Sequence, residues 1–383
     1  MEYDAIIVGA GPAGGMAART LSKKGYRVLV LEKKKAVGQP VQCAEAISHA
    51  ALEENGLARK HEWIKQIVKG ARPVMPDGSH FFVTQKGYSI ARDLFDSWLM
   101  NKAVDCGAEL KLSCMANGVN RCGPGWSVNT DCGEFAGKIL IGADGPSSNV
   151  ARWLGLVEKR IFARALEYTF DSRDFDYDEK EWLSFLLGAG WHGGSAWVFP
   201  RGNEWNIGVG GFGKVPESLA RLLKQLGIDK EKTNRKIAGL VPYRYKLTSL
   251  AGRGIMIAGD AAGTTNPIIG SGIRSALNSG RIAGETACRA LDSEKPELTQ
   301  QYDPRMKKEP FLDPVLHLSA EHLRKWTDED WNFLGHMMRG RDESALSVLE
   351  GTVAALKKPK YLFRGKEFMT IRKGIRLTNR YGW

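Results

Sequence analysis

The sequence lacks three features, each of which would define a class of protein. No stretch approaches the roughly 18 apolar residues that a membrane-spanning helix requires, since even the apolar run at 255–258 ends at Gly259. The N-terminus enters a predicted strand at Tyr3 without the regions of a signal peptide. The six cysteines show no C-x-x-C spacing, which argues against zinc and iron–sulfur sites. We therefore expect a cytoplasmic protein with reduced cysteines, no metal and no membrane-spanning helix.

The positive charge is concentrated near the C-terminus. The 383 residues carry a net charge of +12, and residues 357–383 contain nine Lys or Arg against one acid, interleaved with large apolar residues. This pattern is typical of a surface that meets anionic lipid headgroups. It fits equally well an acidic protein partner, or a solvated helix packed through its aromatic residues. We predict no nucleic-acid partner, because no known binding module is present.

A glycine-rich motif follows the first predicted strand. The strand at 3–8 leads into G-x-G-x-x-G, formed by Gly9, Gly11 and Gly14, and then into a helix and a second apolar strand that ends at Glu32. The glycines permit a tight turn, a close approach to a pyrophosphate and close helix–strand packing, while the acid meets a ribose. The nucleotide-binding residues predicted here are Gly9, Gly11, Pro12, Ala13, Gly14, Glu32 and Lys33.

A second glycine cluster at 208–213 also fits this pattern, but no strand ending in an acid follows it. We interpret these glycines as a tight turn or a close backbone approach. The sequence therefore gives no evidence of a second dinucleotide site for NADPH.

Two more apolar strands run into loops of small residues, at 139–148 and at 254–263, and the second continues through 267–272 into a helix from Ile273. A simple NAD domain needs neither loop. Together with the first motif, they resemble the flavoprotein family that includes aromatic hydroxylases and geranylgeranyl reductases. The resemblance implies FAD as cofactor, with Asp260 near its ribityl and pyrophosphate region and the helix from Ile273 pointing its positive end at the flavin ring.

The segment 88–99 resembles the family's second helix, which implies that Arg92 contacts the FAD. A surface ion pair of Arg92 with Asp93 or Asp96 is the alternative. The additional cofactor residues implied by the resemblance are Cys43, Ala44, Arg92, Asp144, Gly259, Asp260, Ala261, Gly270, Gly272 and Ile273.

Two shorter motifs indicate a subfamily. Residues 40–45, Pro-Val-Gln-Cys-Ala-Glu, resemble the P-x-x-C-G-E segment of archaeal geranylgeranyl reductases, with Ala44 in place of Gly. Cys43 beside a flavin would transfer a proton or tune the ring, and a nearby cation would favour its thiolate. The alternative is a small, buried apolar residue.

The second motif is an alternating strand, with Ser195, Trp197 and Phe199 on one face. With Pro200, Gly208 and Gly210 it resembles the subfamily's Y-x-W-x-F-P…G-x-G pattern, except that Ser195 replaces the Tyr. We expect this face to form the floor of the substrate pocket, and we predict Cys43, Trp197 and Phe199 as catalytic-site residues. Trp197 and Phe199 as simple core residues remain the alternative.

These motifs predict an α/β protein. It would have a glutathione-reductase-like FAD-binding Rossmann domain, an inserted antiparallel-sheet (α+β) substrate domain and a helical C-terminal tail. The predicted FAD domain is discontinuous, at 1–60, 86–160 and 246–292. The substrate domain takes 61–85 and 161–245, and the helical region with its basic tail takes 293–383.

The predicted activity is reduction of C=C bonds of geranylgeranyl groups, on isoprenoid lipids or diphosphates, by hydride transfer from reduced FAD. The predicted partners are the prenyl substrate, an external electron donor such as a ferredoxin, and the inner face of the membrane through the basic tail. The alternatives are an aromatic-type FAD monooxygenase and a flavoprotein dehydrogenase that passes electrons to a quinone.

Overall fold

The computed structural model describes residues 2–338 and 364–381, and it contains two eight-stranded sheets. The first sheet has the order β15-β16-β9-β1-β2-β6, with the β7–β8 hairpin extending from β9. Its strands are β1 (Tyr3–Val8), β2 (Val28–Leu31), β6 (Glu109–Lys111), β7 (Ala116–Cys122), β8 (Gly125–Thr130), β9 (Gly133–Gly142), β15 (Ala251–Gly252) and β16 (Ile255–Ile257). Strands β16, β9, β1, β2 and β6 are parallel, as in a Rossmann fold.

The second sheet has the order β14-β10-β13-β12-β11-β4-β5-β3 and is antiparallel except at the β4–β11 pair. Its strands are β3 (Ala46–Ser48), β4 (Ile64–Val74), β5 (Val83–Ile90), β10 (Val157–Asp171), β11 (Trp182–Leu186), β12 (Ser195–Arg201), β13 (Glu204–Gly211) and β14 (Arg235–Leu247). The predicted α/β class with an antiparallel second sheet is therefore confirmed.

Ten α-helices pack around these sheets within the described residues. They are α1 (Pro12–Ser22), α2 (His49–Glu54), α3 (Arg92–Val104), α4 (Asn149–Trp153), α5 (Val215–Gln225), α6 (Ile273–Asp292), α7 (Tyr302–Met306), α8 (Pro314–Leu323), α9 (Asp328–Met338) and α10 (Gly365–Tyr381). Helix α5 covers the outer face of the second sheet through Leu219, Leu222 and Leu223. No helix in the described part of the chain is both long and apolar enough to cross a bilayer.

The first turn of the Rossmann unit requires glycine at two positions. Gly9 has a φ of +105°, and a Cβ placed there would lie 2.3 Å from the Ala143 carbonyl oxygen. A Cβ on Gly14 would lie 1.9 Å from the Gly9 carbonyl oxygen. Both glycines are therefore required for the close packing of α1 against the strand ends.

Helices α1 and α6 pack together through small residues. A Cβ on Gly280 would lie 2.2 Å from the Ala13 carbonyl oxygen, and one on Gly284 would lie 2.7 Å from the Thr20 Cβ. The two glycines are one helical turn apart, so they form a groove that admits the backbone of α1. This contact sets the relative position of the N-termini of both helices.

The glycine cluster at 208–213 is not a nucleotide loop, because residues 208–211 lie inside strand β13, paired with β10 and β12. The expectation of close approach is correct, since a Cβ on Gly194 would lie 1.7 Å from the Gly210 carbonyl oxygen.

The expectation of six reduced cysteines is wrong, because Cys114 and Cys132 form a disulfide. The β7–β8 hairpin brings the two residues together although 18 positions separate them.

The C-terminal helices form a layer of their own. Helix α10 packs on α8 and on the loop before α6, and a Cβ on Gly374 would lie 2.1 Å from the Ser319 Oγ. Asn266 of that loop donates a hydrogen bond to the Thr378 hydroxyl at 3.1 Å. The rest of the predicted tail, at 357–363 and 382–383, lies outside the described residues.

The second sheet takes strands from 46–48, 64–90 and 157–247, and the predicted domain boundaries stay a prediction.

The α1–α6 contact leads to a stability prediction. Gly280→Ala should lower the free energy of unfolding by about 1–3 kcal/mol, because the added methyl forces the two helices apart. The matched control is Gly365→Ala, at a position where a Cβ meets nothing within 4 Å. Urea unfolding of the FAD-saturated proteins, followed by tryptophan fluorescence, measures both values. Equal midpoints for the two variants would contradict this packing argument.

Candidate active site

A single continuous cavity of about 720 Å³ runs from the carboxyl ends of the parallel strands to the face of the second sheet. Most of the residues that were predicted from the sequence motifs line this cavity. The predicted residues that line it are Gly9, Gly11, Pro12, Ala13, Glu32, Lys33, Cys43, Ala44, Arg92, Asp144, Trp197, Phe199, Gly259, Asp260, Gly270, Gly272 and Ile273. A nucleotide groove and an apolar pocket are therefore joined in one space.

The nucleotide end is built around the N-terminus of α1. Its N-cap residue is Gly11, which offers no side-chain cap, and a Cβ there would meet nothing within 4 Å. The helix therefore presents unpaired N–H groups and its positive end to open space, as an anion site requires. Glu32 follows β2 and is 8% exposed, and its carboxylate accepts hydrogen bonds from the Ala10 and Lys34 amides at 2.9 and 3.0 Å.

A second uncapped helix faces the cavity at α6. Its N-cap is Gly272, again with no side-chain hydrogen bond. Asp260 lies beside it and accepts a hydrogen bond from the Thr265 hydroxyl at 2.7 Å. Burial raises the pKa of Asp260, while Thr265 and Arg92 oppose the rise.

Arg92 forms the ion pair with Asp96 that the alternative interpretation expected, and its contact with FAD stays a prediction. Its guanidinium forms a bidentate ion pair with Asp96, at 3.0 and 2.7 Å, and it also lines the cavity with 16% of its side chain exposed. Burial lowers the pKa of Arg92, but Asp96 and Cys43 outweigh it and the net shift is upward. The cation is thus fixed at the junction of the groove and the pocket.

Three predicted cofactor residues have structural roles. Gly14 and Ala261 do not line the cavity, because Gly14 packs on the Gly9 backbone and Ala261 is fully buried in the core. Asp144 lines the cavity, but its Oδ2 caps α4 by accepting the Asn149 and Val150 amides at 2.7 and 3.1 Å. Its Oδ1 is buried and has no hydrogen-bond partner among the residues that the structure describes.

The residues present fit FAD. The uncapped N-terminus of α1, with open space above Gly11, suits a pyrophosphate, and Glu32 stands where a ribose would be bound. The uncapped N-terminus of α6 suits the anionic form of a reduced flavin. Two uncapped helix N-termini on one cavity therefore suit a long cofactor that carries negative charge at two separate places, the pyrophosphate and the reduced flavin.

Cys43 lies in the loop that closes the cavity between the two sheets, and its sulfur accepts a hydrogen bond from the Glu45 amide at 3.2 Å. Burial raises the pKa of Cys43, although the adjacent Arg92 and the Glu45 amide oppose the rise. Desolvation therefore outweighs the nearby cation and favours the neutral thiol of Cys43 over a partly ionised one. The left-handed residue of this loop is Glu45, with a φ of +64°, so the replacement of Gly by Ala at position 44 requires no unusual backbone conformation.

The cavity floor is the inner face of the second sheet. Trp197 and Phe199 are 8% and 4% exposed, and both line the cavity with Ser195, as the alternation predicts. A Cβ on Gly208 would lie 2.2 Å from the Trp197 ring, so the indole lies directly on that glycine. The Trp197 Nε1 donates to the Asn206 side-chain oxygen at 2.9 Å. The spacing between the W-x-F-P segment and the first glycine of G-x-G thus has a packing reason, because Gly208 makes room for the tryptophan ring.

Sequence reasoning missed five polar residues around this floor, namely Glu45, Glu167, Arg201, Asn206 and Arg235. Glu45 is fully buried and accepts the Arg92 amide at 2.9 Å. It pairs with Arg201 at 3.2 Å and with Arg235 at 2.5 Å. Glu45 belongs to the P-x-x-C-x-E motif, so the motif itself was the available indication. The other four residues carry no local pattern, because strands distant in the sequence bring them together.

Comparison with known proteins identifies the family of the chain. Residues 2–308 match the family model described as FAD binding domain. The digeranylgeranylglycerophospholipid reductase of Methanocaldococcus jannaschii is 32% identical over 88% of this chain and 90% of its own length. A Methanopyrus kandleri protein named digeranylgeranylglycerophospholipid reductase 2 is 33% identical over 94% of this chain and 96% of its own.

Solved structures show the same relationship. A geranylgeranyl bacteriochlorophyll reductase-like protein from Thermoplasma acidophilum superposes with a TM-score of 0.84 at 27% identity, over 95% of this chain and 98% of that one. The flavin-dependent brominase Bmp2 superposes with a TM-score of 0.70 at 18% identity over 93% of each chain, a likeness in fold alone. The chain belongs to the FAD binding domain family and, within it, to the digeranylgeranylglycerophospholipid reductases.

Proposed function

We propose that this protein is an FAD-dependent oxidoreductase that saturates C=C bonds of geranylgeranyl groups on isoprenoid lipids or prenyl diphosphates. The observation that carries the proposal is the continuity of the cavity. One space holds both a groove with two uncapped helix N-termini and a pocket walled by Leu183, Phe185, Trp197 and Phe199. The long apolar chain of a substrate in the pocket can therefore reach the cofactor without passing through solvent.

The residues that would hold FAD are distributed along the groove. Gly11 and the α1 N-terminus would receive the pyrophosphate, and Glu32 the ribose, while Arg92, Asp260 and the α6 N-terminus would lie towards the flavin. Bound, reduced FAD supplies a hydride equivalent to the substrate. The groups on the protein then have to position the alkene, exclude water and provide a proton.

The pocket suits an unactivated alkene. Reduction of an isolated C=C bond develops no oxyanion, so donors that stabilise an oxyanion have no role, and positioning in a dry space carries more of the catalysis. Ala163 and Ala165 line the cavity on β10 and leave room along the sheet, while Trp197 and Phe199 supply flat apolar surface. Cys43, neutral and beside Arg92, closes this pocket at its junction with the groove.

The basic helix α10 supports docking to an anionic membrane. Its buried face contains Ile371, Gly374 and Thr378, while Lys366, Lys373, Arg376 and Arg380 are exposed. These four cations recur at spacings of seven, three and four residues, so they lie on one side of the helix. Prenylated lipids reside in membranes, and a cationic face would bring the enzyme to them. The electron donor is an external reduced carrier of the ferredoxin type.

The function is tested anaerobically. The flavin of the purified holoprotein is reduced with dithionite and mixed with a geranylgeranylated glycerophospholipid, and the flavin spectrum and the lipid mass are followed together. We expect reoxidation of the flavin, with a gain of two hydrogens per double bond.

The control substrate for this experiment is the same lipid with saturated chains, which should leave the flavin reduced. A flavin that stays reduced with every prenyl substrate, including the diphosphate, would rule out prenyl reduction. Oxygen and a quinone would then be the acceptors to examine.

Membrane docking is tested by cosedimentation with vesicles. The wild-type protein should bind vesicles that contain phosphatidylglycerol, and Lys373→Gln with Arg376→Gln should weaken binding by about thirtyfold, since each cation near such a surface contributes about 1 kcal/mol. The matched control is Lys23→Gln with Lys24→Gln, two exposed cations at the end of α1. Equal losses in both double variants, or no binding by the wild type, would contradict docking through α10.

A further inference from the structure

A buried carboxyl group on the cavity floor has no assigned role. Glu167 lies on β10 with 3% of its surface exposed and lines the cavity on the same strand face as Ala165. Its Oε1 is buried and, within the described residues, has no hydrogen-bond partner. A buried carboxyl group with one oxygen left without a partner is costly to the fold, so its presence at a cavity wall calls for a functional reason.

The packing around Glu167 fixes its position. Gly208 is its register partner on β13, and a Cβ on Gly208 would lie 2.7 Å from the Glu167 Cβ and 2.2 Å from the Trp197 ring. Because Gly208 has no side chain, Glu167 and the indole of Trp197 can pack next to each other on the cavity floor. Asn206, two residues away on β13, accepts a hydrogen bond from the indole N–H, and its side-chain amide faces Glu167.

Burial and the charge of Glu45 both favour the protonated form of Glu167. Burial is the largest effect and Glu45 adds to it, which together raise the pKa of Glu167 to about 8, against the opposing effects of Asn206, Arg235 and Arg201. Both arginines are already paired with Glu45. Cys43 also faces this group from the covering loop. At neutral pH the cavity floor thus presents a carboxylic acid.

We propose that Glu167 is the proton donor of the site, the catalytic residue that protonates the second alkene carbon. This inference rests on the proposed function. As one carbon gains the hydride equivalent, the O–H bond of Glu167 breaks and a C–H bond forms at the other carbon. The two electrons come from the external reductant, and the carboxylate left behind recovers its proton from water.

Cys43 is the competing donor, and the two groups differ in acidity. A general acid is most effective when its pKa lies near the working pH. Burial moves the pKa of Cys43 upward from that of an ordinary thiol, whereas Glu167 titrates at about 8. Glu167 is therefore the stronger acid of the two.

The first test measures the proton itself. Infrared spectra of the FAD-loaded protein, recorded without substrate, should show a carboxylic-acid C=O band that disappears with a midpoint near pH 8. The band should be absent in Glu167→Gln and retained in Glu158→Gln, which removes an exposed carboxylate from the same strand. A wild-type protein without this band at neutral pH would overturn the proposal.

The second test measures the reaction. Glu167→Gln keeps the shape of the protonated acid, and its FAD content and circular dichroism report whether it has folded. We expect product formation at pH 7 to fall by about a hundredfold. In the wild type the rate should fall as the pH rises through about 8, because the acid loses its proton there, and Glu167→Gln should lose this dependence while Glu158→Gln keeps it.

Two further outcomes separate the hypotheses. Near-normal turnover in Glu167→Gln, with a hundredfold loss in Cys43→Ala, would assign the proton to Cys43 and overturn the proposal. If the wild type reduces no prenyl substrate, the proposed function fails, whereas the infrared titration still decides whether Glu167 holds a proton at neutral pH.

Discussion

The buried carboxylate of Glu45 is the interaction on which the geometry of the site depends. It caps the N-terminus of α3 through the Arg92 amide and pairs with arginines from β12 and β14. One side chain therefore joins the Rossmann unit, the cavity loop and the second sheet. A charge with no exposed surface is tolerable only because it has several partners, so the loop that carries Cys43 has one position relative to the sheet.

The same network sets the acidity of the pocket. Arg201 and Arg235 form ion pairs with Glu45, so their positive charge is largely neutralised by that carboxylate. Glu167 is therefore a second carboxyl group close to the negatively charged Glu45. Two carboxyl groups in one desolvated region do not both ionise easily. Burial is the main reason that Glu167 keeps its proton, and the motif glutamate adds to it, which connects a loop motif to the chemistry of a strand residue 122 positions further along the chain.

The sequence was most informative where the backbone itself is the functional element. Gly9, Gly11 and Gly14 have local requirements, namely a positive φ, open space and a close approach, and such requirements can be read from spacing alone. The alternation of Ser195, Trp197 and Phe199 likewise predicts their shared face. Glu167, Asn206 and Arg235 could not be found this way, because their meeting depends on the register of three strands that are distant in sequence. The Cys114–Cys132 disulfide was missed for a different reason, because the two residues meet only when the β7–β8 hairpin between them forms.

The departures from the family motifs have physical explanations that differ in kind. Ala44 is tolerated because the left-handed position of the loop falls on Glu45 instead. Ser195 lines the cavity, so the loss of a Tyr side chain there removes volume from the wall rather than from the core. Trp197 and Gly208 remain as a matched pair, since the indole occupies the space that a Cβ would need. The chain thus keeps the Trp197–Gly208 contact beside Glu167, and it differs from the family motifs at Ala44 and Ser195, where the loop conformation and the cavity accommodate the change.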